Sequence, residues 1–306
     1  MEVVPLFCRH NRFEASCPIC SKEKAAARRP GGSSGARTGS TTRRAPSTPA
    51  ARRHGSGQRA GHLVTRKLAR AADDGYSNDL VPGIRATADA ERLAACLAVA
   101  AARLEFPGPH PEVAELDGAL EEATWLAFLL ALAGPERPEL QAALLAARPP
   151  WTGGGDDAGL GEAAARTIDA YRAWAQRAGS QAAAIAGEAA WTPQRRFARV
   201  FDRLALPGFG RAPRFEFLVI LGAAGLYELE ADALHVAVKE DDATTLAAKR
   251  ALVSGDALLL ERRAAALAGA TGVPLAALDR GLALWDSTAP VEPPEHDAIR
   301  AALRVA

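Results

Sequence analysis

Residues 192–235 read TPQRRFARVFDRLALPGFGRAPRFEFLVILGAAGLYELEADALH, and this stretch carries most of the information about the fold. A run with apolar residues at helical spacing ends at residues 204–206, and residues 207–210, Pro-Gly-Phe-Gly, follow as a tight turn. A second helical run starts at about Pro213, because proline is favourable at the first position of a helix. The stretch therefore predicts two helices joined by a short glycine-rich hairpin.

The hairpin has the composition of an anion-binding site. Gly208 and Gly210 permit backbone conformations that turn amide N–H groups outward, beside the positive end of the second helix. Arginines flank the hairpin on both sides, and three of them recur at i, i+4 and i+8 on one face of the preceding helix. The pattern predicts a cradle for an anion such as a DNA phosphate. The flanking arginines are Arg195, Arg199, Arg203, Arg211 and Arg214.

This segment resembles the helix-hairpin-helix motif of the DNA glycosylase superfamily, whose hairpin commonly reads LPGVG followed by a basic residue. The match here begins at Leu206, has Phe209 at the variable position and ends at Arg211. The resemblance implies an all-helical fold in two lobes, with DNA phosphates bound by the hairpin at Gly208, Phe209 and Gly210. Members that also cleave the DNA backbone carry a Lys after the basic residue. This chain has Ala212 there, so a Schiff-base lyase step is not expected.

In many members of that superfamily a catalytic Asp lies some two dozen residues beyond the hairpin, often in an Asp-Thr-His string. The nearest equivalent here is Asp232, which is separated from His235 by one residue too many. The resemblance implies that Asp232 stabilises a cationic sugar or positions a nucleophile at C1′ after base flipping. The alternative is that Asp232 caps a short helical turn, as aspartate often does.

Cys8, His10, Cys17 and Cys20 form a cluster of metal-ligating residue types near the start of the chain. A C-x2-C pair grips one ion from a tight turn, and the Cys-x-His pair can complete a tetrahedron. All four positions are filled by protein, so the pattern predicts structural Zn²⁺ within residues 1–23 and no open site for water. Idle thiols or a redox pair are the alternatives, although the thioredoxin-like setting typical of a redox pair is not visible.

Charge is distributed unevenly along the chain. Residues 21–72 hold 13 Lys or Arg and one Glu, a local charge of +12, whereas residues 73–306 hold 22 basic and 33 acidic residues, a local charge of −11. A basic arm beside an acidic body is typical of nucleic-acid-binding proteins, although a solvated tether has the same composition. Residues 24–72 lack apolar periodicity, and we expect them to be a disordered linker.

Residues 73–306 are predicted to form one all-α domain. Leu93 and Leu97 mark one apolar helical face, with Thr87 as a candidate cap, and similar periodicity recurs to the end of the chain without an alternating strand. The longest apolar run, residues 123–133, is far shorter than the roughly 20 residues that a membrane helix needs. No secretory signal is visible, so a cytoplasmic, reducing location is expected.

The chain is also similar to the α-glutamyl/putrescinyl thymine pyrophosphorylase group, proposed in phage-type hypermodification of DNA bases. The resemblance rests on the Cys-x-His and Cys-Pro-x-Cys cluster and on the stretch from Ala178 through Trp191-Thr192-Pro193 to Trp285. It implies a DNA partner and action on modified thymine bases.

Two other classes of function remain open: a non-enzymatic DNA-binding module and a protein-interaction module. Asp241 and Asp242 are either part of a metal site or an acidic helix start. Four tryptophans either stack on a flipped base or pack in the core: Trp151, Trp174, Trp191 and Trp285.

Overall fold

All regular secondary structure in the described part of the chain is helical. A computed structural model describes residues 71–152, 159–237 and 241–305. The predicted all-α class is therefore confirmed for these residues. The zinc site predicted within residues 1–23, and the predicted linker as far as residue 70, lie outside the described residues.

Twelve α-helices occur within the described ranges, and none of them is long and apolar enough to cross a membrane. They are α1 Thr87–Ala102, α2 Pro111–Ala114, α3 Leu120–Ala133, α4 Pro138–Ala147, α5 Glu162–Arg177, α6 Gln181–Ala186, α7 Pro193–Arg203, α8 Arg211–Ala223, α9 Ala243–Leu252, α10 Ala257–Thr271, α11 Leu275–Trp285 and α12 Asp297–Leu303.

The helices enclose two hydrophobic clusters. The first surrounds α3, which is apolar on every side as expected of a central helix, and it takes further side chains from α5, α7 and α8. Phe128 of α3 stacks on Tyr171 of α5 with ring centroids 3.8 Å apart. The second cluster is built from α1 and α9 to α12. Leu104 and Leu275 pack against both clusters, so the two form adjoining parts of one core.

Close approach of α1 and α11 organises the second cluster. Gly281 of α11 lies against Leu97 of α1, and a Cβ atom at Gly281 would stand 2.6 Å from Leu97 Cδ2 and 3.2 Å from Leu97 Cα. Glycine is required here for close packing, since a larger side chain would force the helices apart.

Four local expectations are refined by the structure. Thr87 does not cap α1; it is the first helical residue, and its N–H donates to Asp74 Oδ2 at 2.9 Å. The helix expected from about Pro213 begins at Arg211, because proline is tolerated anywhere in a first helical turn. Residues 112–133, for which the sequence predicts one long or broken helix, form α2, a 3-10 turn at Asp117–Ala119 and α3. The short helix α6, capped by the Ser180 hydroxyl, was missed.

Candidate functional site

The predicted hairpin is present between α7 and α8, and its tip is exposed. Gly208 adopts φ +78°, and the Phe209 N–H donates to the Leu206 carbonyl oxygen at 3.0 Å, which closes the turn. The Thr167 hydroxyl of α5 donates to the Pro207 carbonyl oxygen at 2.9 Å. The hairpin is therefore held to the first cluster from below while its outer side faces solvent.

The two hairpin glycines have different reasons to be glycine. At Gly208 the φ angle is left-handed, and a Cβ atom would stand 2.3 Å from Thr167 Oγ1. At Gly210 the backbone is extended, with φ −65° and ψ −177°, and a Cβ atom would meet nothing within 4 Å. Gly208 is thus required by the turn, whereas the fold itself does not require Gly210 to lack a side chain.

The start of α8 presents unused amides at this exposed surface. The N–H groups of Gly210, Arg211 and Ala212 have no hydrogen-bond partner among the described residues. Pro213, the third helical residue, has no N–H to offer. These amides add their partial positive charge to that of the helix end, which is the arrangement that binds anions at helix N-termini.

The Phe209 side chain, which belongs to the hairpin predicted to contact DNA, is turned away from this surface. Its side chain is 2% exposed and packs on Phe128 and Phe217, with centroid separations of 5.1 and 6.3 Å. Its amide is already used inside the turn. Phe209 anchors the hairpin in the first hydrophobic cluster.

The Arg211 side chain, for which the sequence predicts a contact with a DNA phosphate, is also buried. It is 1% exposed, and its Nη2 lies 3.0 Å from Asp242 Oδ1 and 2.6 Å from Asp279 Oδ1. Its Nε donates to Asp242 Oδ2 at 3.1 Å, and its Nη1 donates to the Leu234 carbonyl oxygen at 2.6 Å. Arg211 therefore links the hairpin to α9, α11 and the loop after α8.

Two features of the sequence favour acidic partners for Arg211 and a cationic partner for Asp279. Arg211 stands in the first turn of α8, where a cation opposes the helix dipole unless acidic partners compensate it. Asp279 lies in the mostly apolar stretch LAALDRGLALW of α11, in which Arg280 is the one other charged residue, and a carboxylate buried there needs a partner.

Burial and pairing shift the pKa values in this cluster. Burial opposes the charge of Arg211, but the adjacent Asp279 and Asp242 carboxylates outweigh burial and raise the Arg211 pKa. Burial raises the Asp279 pKa in spite of Arg211, and the nearby Asp242 and Glu216 carboxylates add to that effect. For Asp242, burial is outweighed by hydrogen bonding and attraction to Arg211, so its pKa is lowered. The guanidinium is permanently charged and holds Asp242 ionised beside it.

Arg214 closes the hairpin across its open side. Its guanidinium lies 4.4 Å from the centroid of the Phe201 ring, its Nε donates to the Gly210 carbonyl oxygen at 3.2 Å, and its Nη1 donates to the Phe201 carbonyl oxygen at 3.3 Å. Arg214 is half-buried, so it ties the end of α7 to the start of α8 beside the exposed amides.

Asp232 and His235 lie together in the loop that follows α8. Asp232 Oδ1 and His235 Nε2 are 3.2 Å apart, and no helix begins at Asp232. The capping interpretation of Asp232 therefore does not fit the structure. The His235 ring is stacked on Phe201 of α7, with centroids 4.3 Å apart, so this pair adjoins the helices that carry the hairpin.

The backbone at His235 is held in an uncommon conformation, with φ +53°. Glu261 of α10 fixes both neighbours, because its carboxylate accepts from the N–H groups of Leu234 and Val236, each at 2.8 Å. Arg211 holds the Leu234 carbonyl oxygen from the other side. Strain that is held in place by flanking hydrogen bonds is a feature of functional loops.

A cleft of about 310 Å³ adjoins this loop. Its walls are mostly apolar, and Glu230 places a carboxylate among them, which accepts from Gln194 Nε2 at 2.6 Å. Ala231, the residue before Asp232, lines the cleft together with Phe197 of α7. The volume suits a small planar group.

Asp242 caps α9 by accepting from Thr245 N–H at 3.3 Å, which favours the helix-start interpretation, and no metal-binding group occurs among the described residues. Trp174 and Trp191 are buried, whereas Trp151 and Trp285 are half-buried.

The three arginines predicted on one face of α7 are exposed. They are Arg195, Arg199 and Arg203.

We predict that Arg211→Met lowers the free energy of unfolding by about 3–5 kcal/mol, because it leaves the buried Asp279 and the half-buried Asp242 carboxylates without their cation. Burial then raises the folded-state pKa values of Asp242 and Asp279 above the unfolded values. The loss is therefore largest near pH 7 and shrinks as the pH falls toward about 4, where both carboxyls take up protons. Urea unfolding across this pH range measures the effect. Arg262→Met, at an exposed site, is the control, and an equal loss in both variants contradicts the prediction.

Comparison with known proteins agrees with the resemblance seen in the sequence. The profile of one protein family, alpha-glutamyl/putrescinyl thymine pyrophosphorylase clade 3, matches residues 157–283. That range spans α5 to nearly the end of α11 and includes the hairpin, the Asp232–His235 pair and the Arg211 cluster. No curated protein and no solved structure matches the chain. Residues 157–283 of the chain are thus similar to the alpha-glutamyl/putrescinyl thymine pyrophosphorylase clade 3 family.

Proposed function

We propose that this protein binds DNA through the hairpin between α7 and α8 and acts on a substituted thymine base. The observation that carries the proposal is the row of unpartnered amides at Gly210, Arg211 and Ala212 at the start of α8, inside the range of the family match. Gly210 and Ala212 in this row are exposed. The name of the matched family refers to a thymine that bears an α-glutamyl or putrescinyl group and to a pyrophosphorylase activity.

The hairpin would hold a backbone phosphate by its amides. A phosphate oxygen accepts from the outward N–H groups while the helix end supplies favourable electrostatics. Arg214, already oriented over Phe201, stands beside the same surface. Such contacts carry no base specificity and position the strand for the neighbouring loop.

We predict that Gly210→Ala weakens binding of a short DNA duplex several-fold, because the added methyl group stands at the amides that the phosphate must approach. The fold tolerates the change, since φ is −65° and the space is open. Fluorescence anisotropy over a salt series measures the effect. Gly255→Ala is the matched control, because it also adds a methyl group to an exposed loop glycine with open space. Equal affinities for both variants would remove the hairpin from the interface.

The Asp232–His235 pair is the proposed reacting end of the site. If an amine displaces pyrophosphate from the thymine 5-methylene group, a nitrogen–carbon bond forms, a carbon–oxygen bond breaks, and the amine loses a proton. We assign the acceptance of that proton to His235, and the orientation of its ring to Asp232, whose Oδ1 lies 3.2 Å from His235 Nε2. The apolar cleft beside Ala231 is the proposed site for the base, which suits an extrahelical thymine.

We predict that Asp232→Asn abolishes turnover of DNA that carries a pyrophosphorylated 5-hydroxymethyluracil while leaving DNA affinity unchanged. Asparagine keeps the shape of the side chain but cannot stabilise a protonated imidazole. Pyrophosphate release in the presence of an amine is the assay, and Asp241→Asn, at an exposed neighbouring site, is the control. Full turnover by Asp232→Asn excludes it from catalysis. Absence of turnover in the unaltered protein, with DNA binding intact, favours the non-enzymatic DNA-binding module.

We further propose that Cys8, His10, Cys17 and Cys20 bind one structural Zn²⁺, with the basic arm adding sequence-independent contacts to DNA. The spacing of these residues supports the site. We predict one zinc per chain by elemental analysis, lost in the Cys17→Ser, Cys20→Ser variant and retained in Cys96→Ser. Zinc retained in the double variant contradicts the assignment.

A further inference from the structure

Another cleft, with a polar lining, lies along α7, on surface that the hairpin does not use. It has a volume of about 220 Å³. We call it the arginine cleft. Its lining residues are Glu188, Trp191, Arg195, Arg199, Asp202 and Arg203.

Trp191 forms the buried wall of the arginine cleft. It is 6% exposed, and its Nε1 is buried without a hydrogen-bond partner among the described residues. Gly187 fixes the ring, since a Cβ atom there would stand 2.3 Å from Cζ3 and 2.6 Å from Cε3 of Trp191. The six-membered edge therefore faces Gly187, and the Nε1 edge is turned away from it. Buried donors in proteins normally have an acceptor, and a bound ligand could supply the acceptor that the Trp191 N–H lacks within the described ranges.

Three arginines line the arginine cleft without a salt bridge to a carboxylate in the described part of the chain, and two of them lie over the Trp191 ring. The Arg195 and Arg203 guanidinium carbons lie 5.9 and 5.1 Å from the Trp191 ring centroid, within cation–π range. Together with Arg199 they form no ion pair with any carboxylate of the described residues, although Glu188 and Asp202 line the same cleft. The three arginines and two carboxylates of the lining give the cleft a net positive charge.

We propose that the arginine cleft binds phosphate groups of a nucleic-acid strand, with the Trp191 N–H and the three arginines as donors. A phosphate offers several charged acceptor oxygens, which suits one indole N–H and several guanidinium groups. The residues from Arg195 to Arg203 span about 12 Å of helix, which exceeds a single phosphate and suits successive phosphates of one strand. Arg203 ends α7 directly before the hairpin, so the strand would run on to the α8 amides. This inference rests on the proposed function in taking DNA as the source of the phosphate.

Two variants of the full chain test the cleft. Trp191→Phe keeps an aromatic ring but removes the N–H, and Arg199→Gln, Arg203→Gln removes two exposed cations. Arg177→Gln, Arg262→Gln is the matched control, because it removes two exposed cations elsewhere. The probes are a short fluorescein-labelled single strand, followed by anisotropy over a salt series, and inorganic pyrophosphate, followed by calorimetry. Thermal unfolding checks that each variant is folded.

We expect Trp191→Phe to bind the single strand about 10-fold more weakly, the loss of one hydrogen bond to a charged group. The cleft double variant should lower the slope of log K against log salt by about 1.4, whereas the control should leave it nearly unchanged. If the cleft variants lose pyrophosphate binding but bind the single strand as the unaltered protein does, the nucleic-acid proposal is overturned. The cleft is then a site for free phosphate or pyrophosphate. Equal behaviour of the cleft and control variants with both probes overturns it outright.

Failure of the cleft and failure of the proposed function give different results. If Gly210→Ala weakens strand binding and the cleft variants do not, the hairpin proposal stands and the cleft proposal is overturned. If the unaltered protein does not bind DNA at all, the proposed function fails and the strand proposal fails with it. In that case pyrophosphate binding that is lost in the cleft variants retains the arginine cleft as a phosphate site.

Discussion

The buried ion-pair cluster around Arg211 is the interaction on which the site depends. One guanidinium reaches Asp242 at the start of α9, Asp279 within α11 and the Leu234 carbonyl in the intervening loop. A buried cation with two carboxylates and a carbonyl has few alternative arrangements, because any displacement leaves a charge without a partner. The cluster thus fixes the hairpin, the loop and the second hydrophobic cluster relative to one another.

This cluster also separates the structural from the surface role of the hairpin. Phe209 and Arg211 point inward, one into the first cluster and the other into the ion pairs, so the backbone between them is held with its amides outward. The same anchoring extends to His235, whose left-handed backbone lies between two residues fixed by Arg211 and Glu261. A rigid frame of this kind holds side chains of the loop in place even where the loop sequence alone would not favour that backbone conformation.

Positive charge is presented locally on an otherwise acidic helical domain. Residues 73–306 carry a net charge of −11, yet the exposed arginines of α7 and the α8 amides lie on connected elements. Screening at physiological salt limits each charge to about 8 Å, so nearby arginines can attract a polyanion despite distant acidic residues. The largely apolar cleft beside Ala231 complements them, since a base needs an apolar wall and its backbone needs cations.

Sequence alone determined the helical class, the hairpin between residues 204 and 210 and the family resemblance, because helical periodicity and Pro-Gly turns are local properties. Tertiary structure decided which arginines face solvent. Arg211 and Arg199 look alike in the sequence, but Arg211 is buried against two carboxylates. These partners lie 31 and 68 residues further along the chain, so no local pattern reveals them. The unpartnered indole of Trp191 and the pairing of Asp232 with His235 likewise depend on how separate segments pack. Such contacts follow from the three-dimensional arrangement of the helices, which no local pattern specifies.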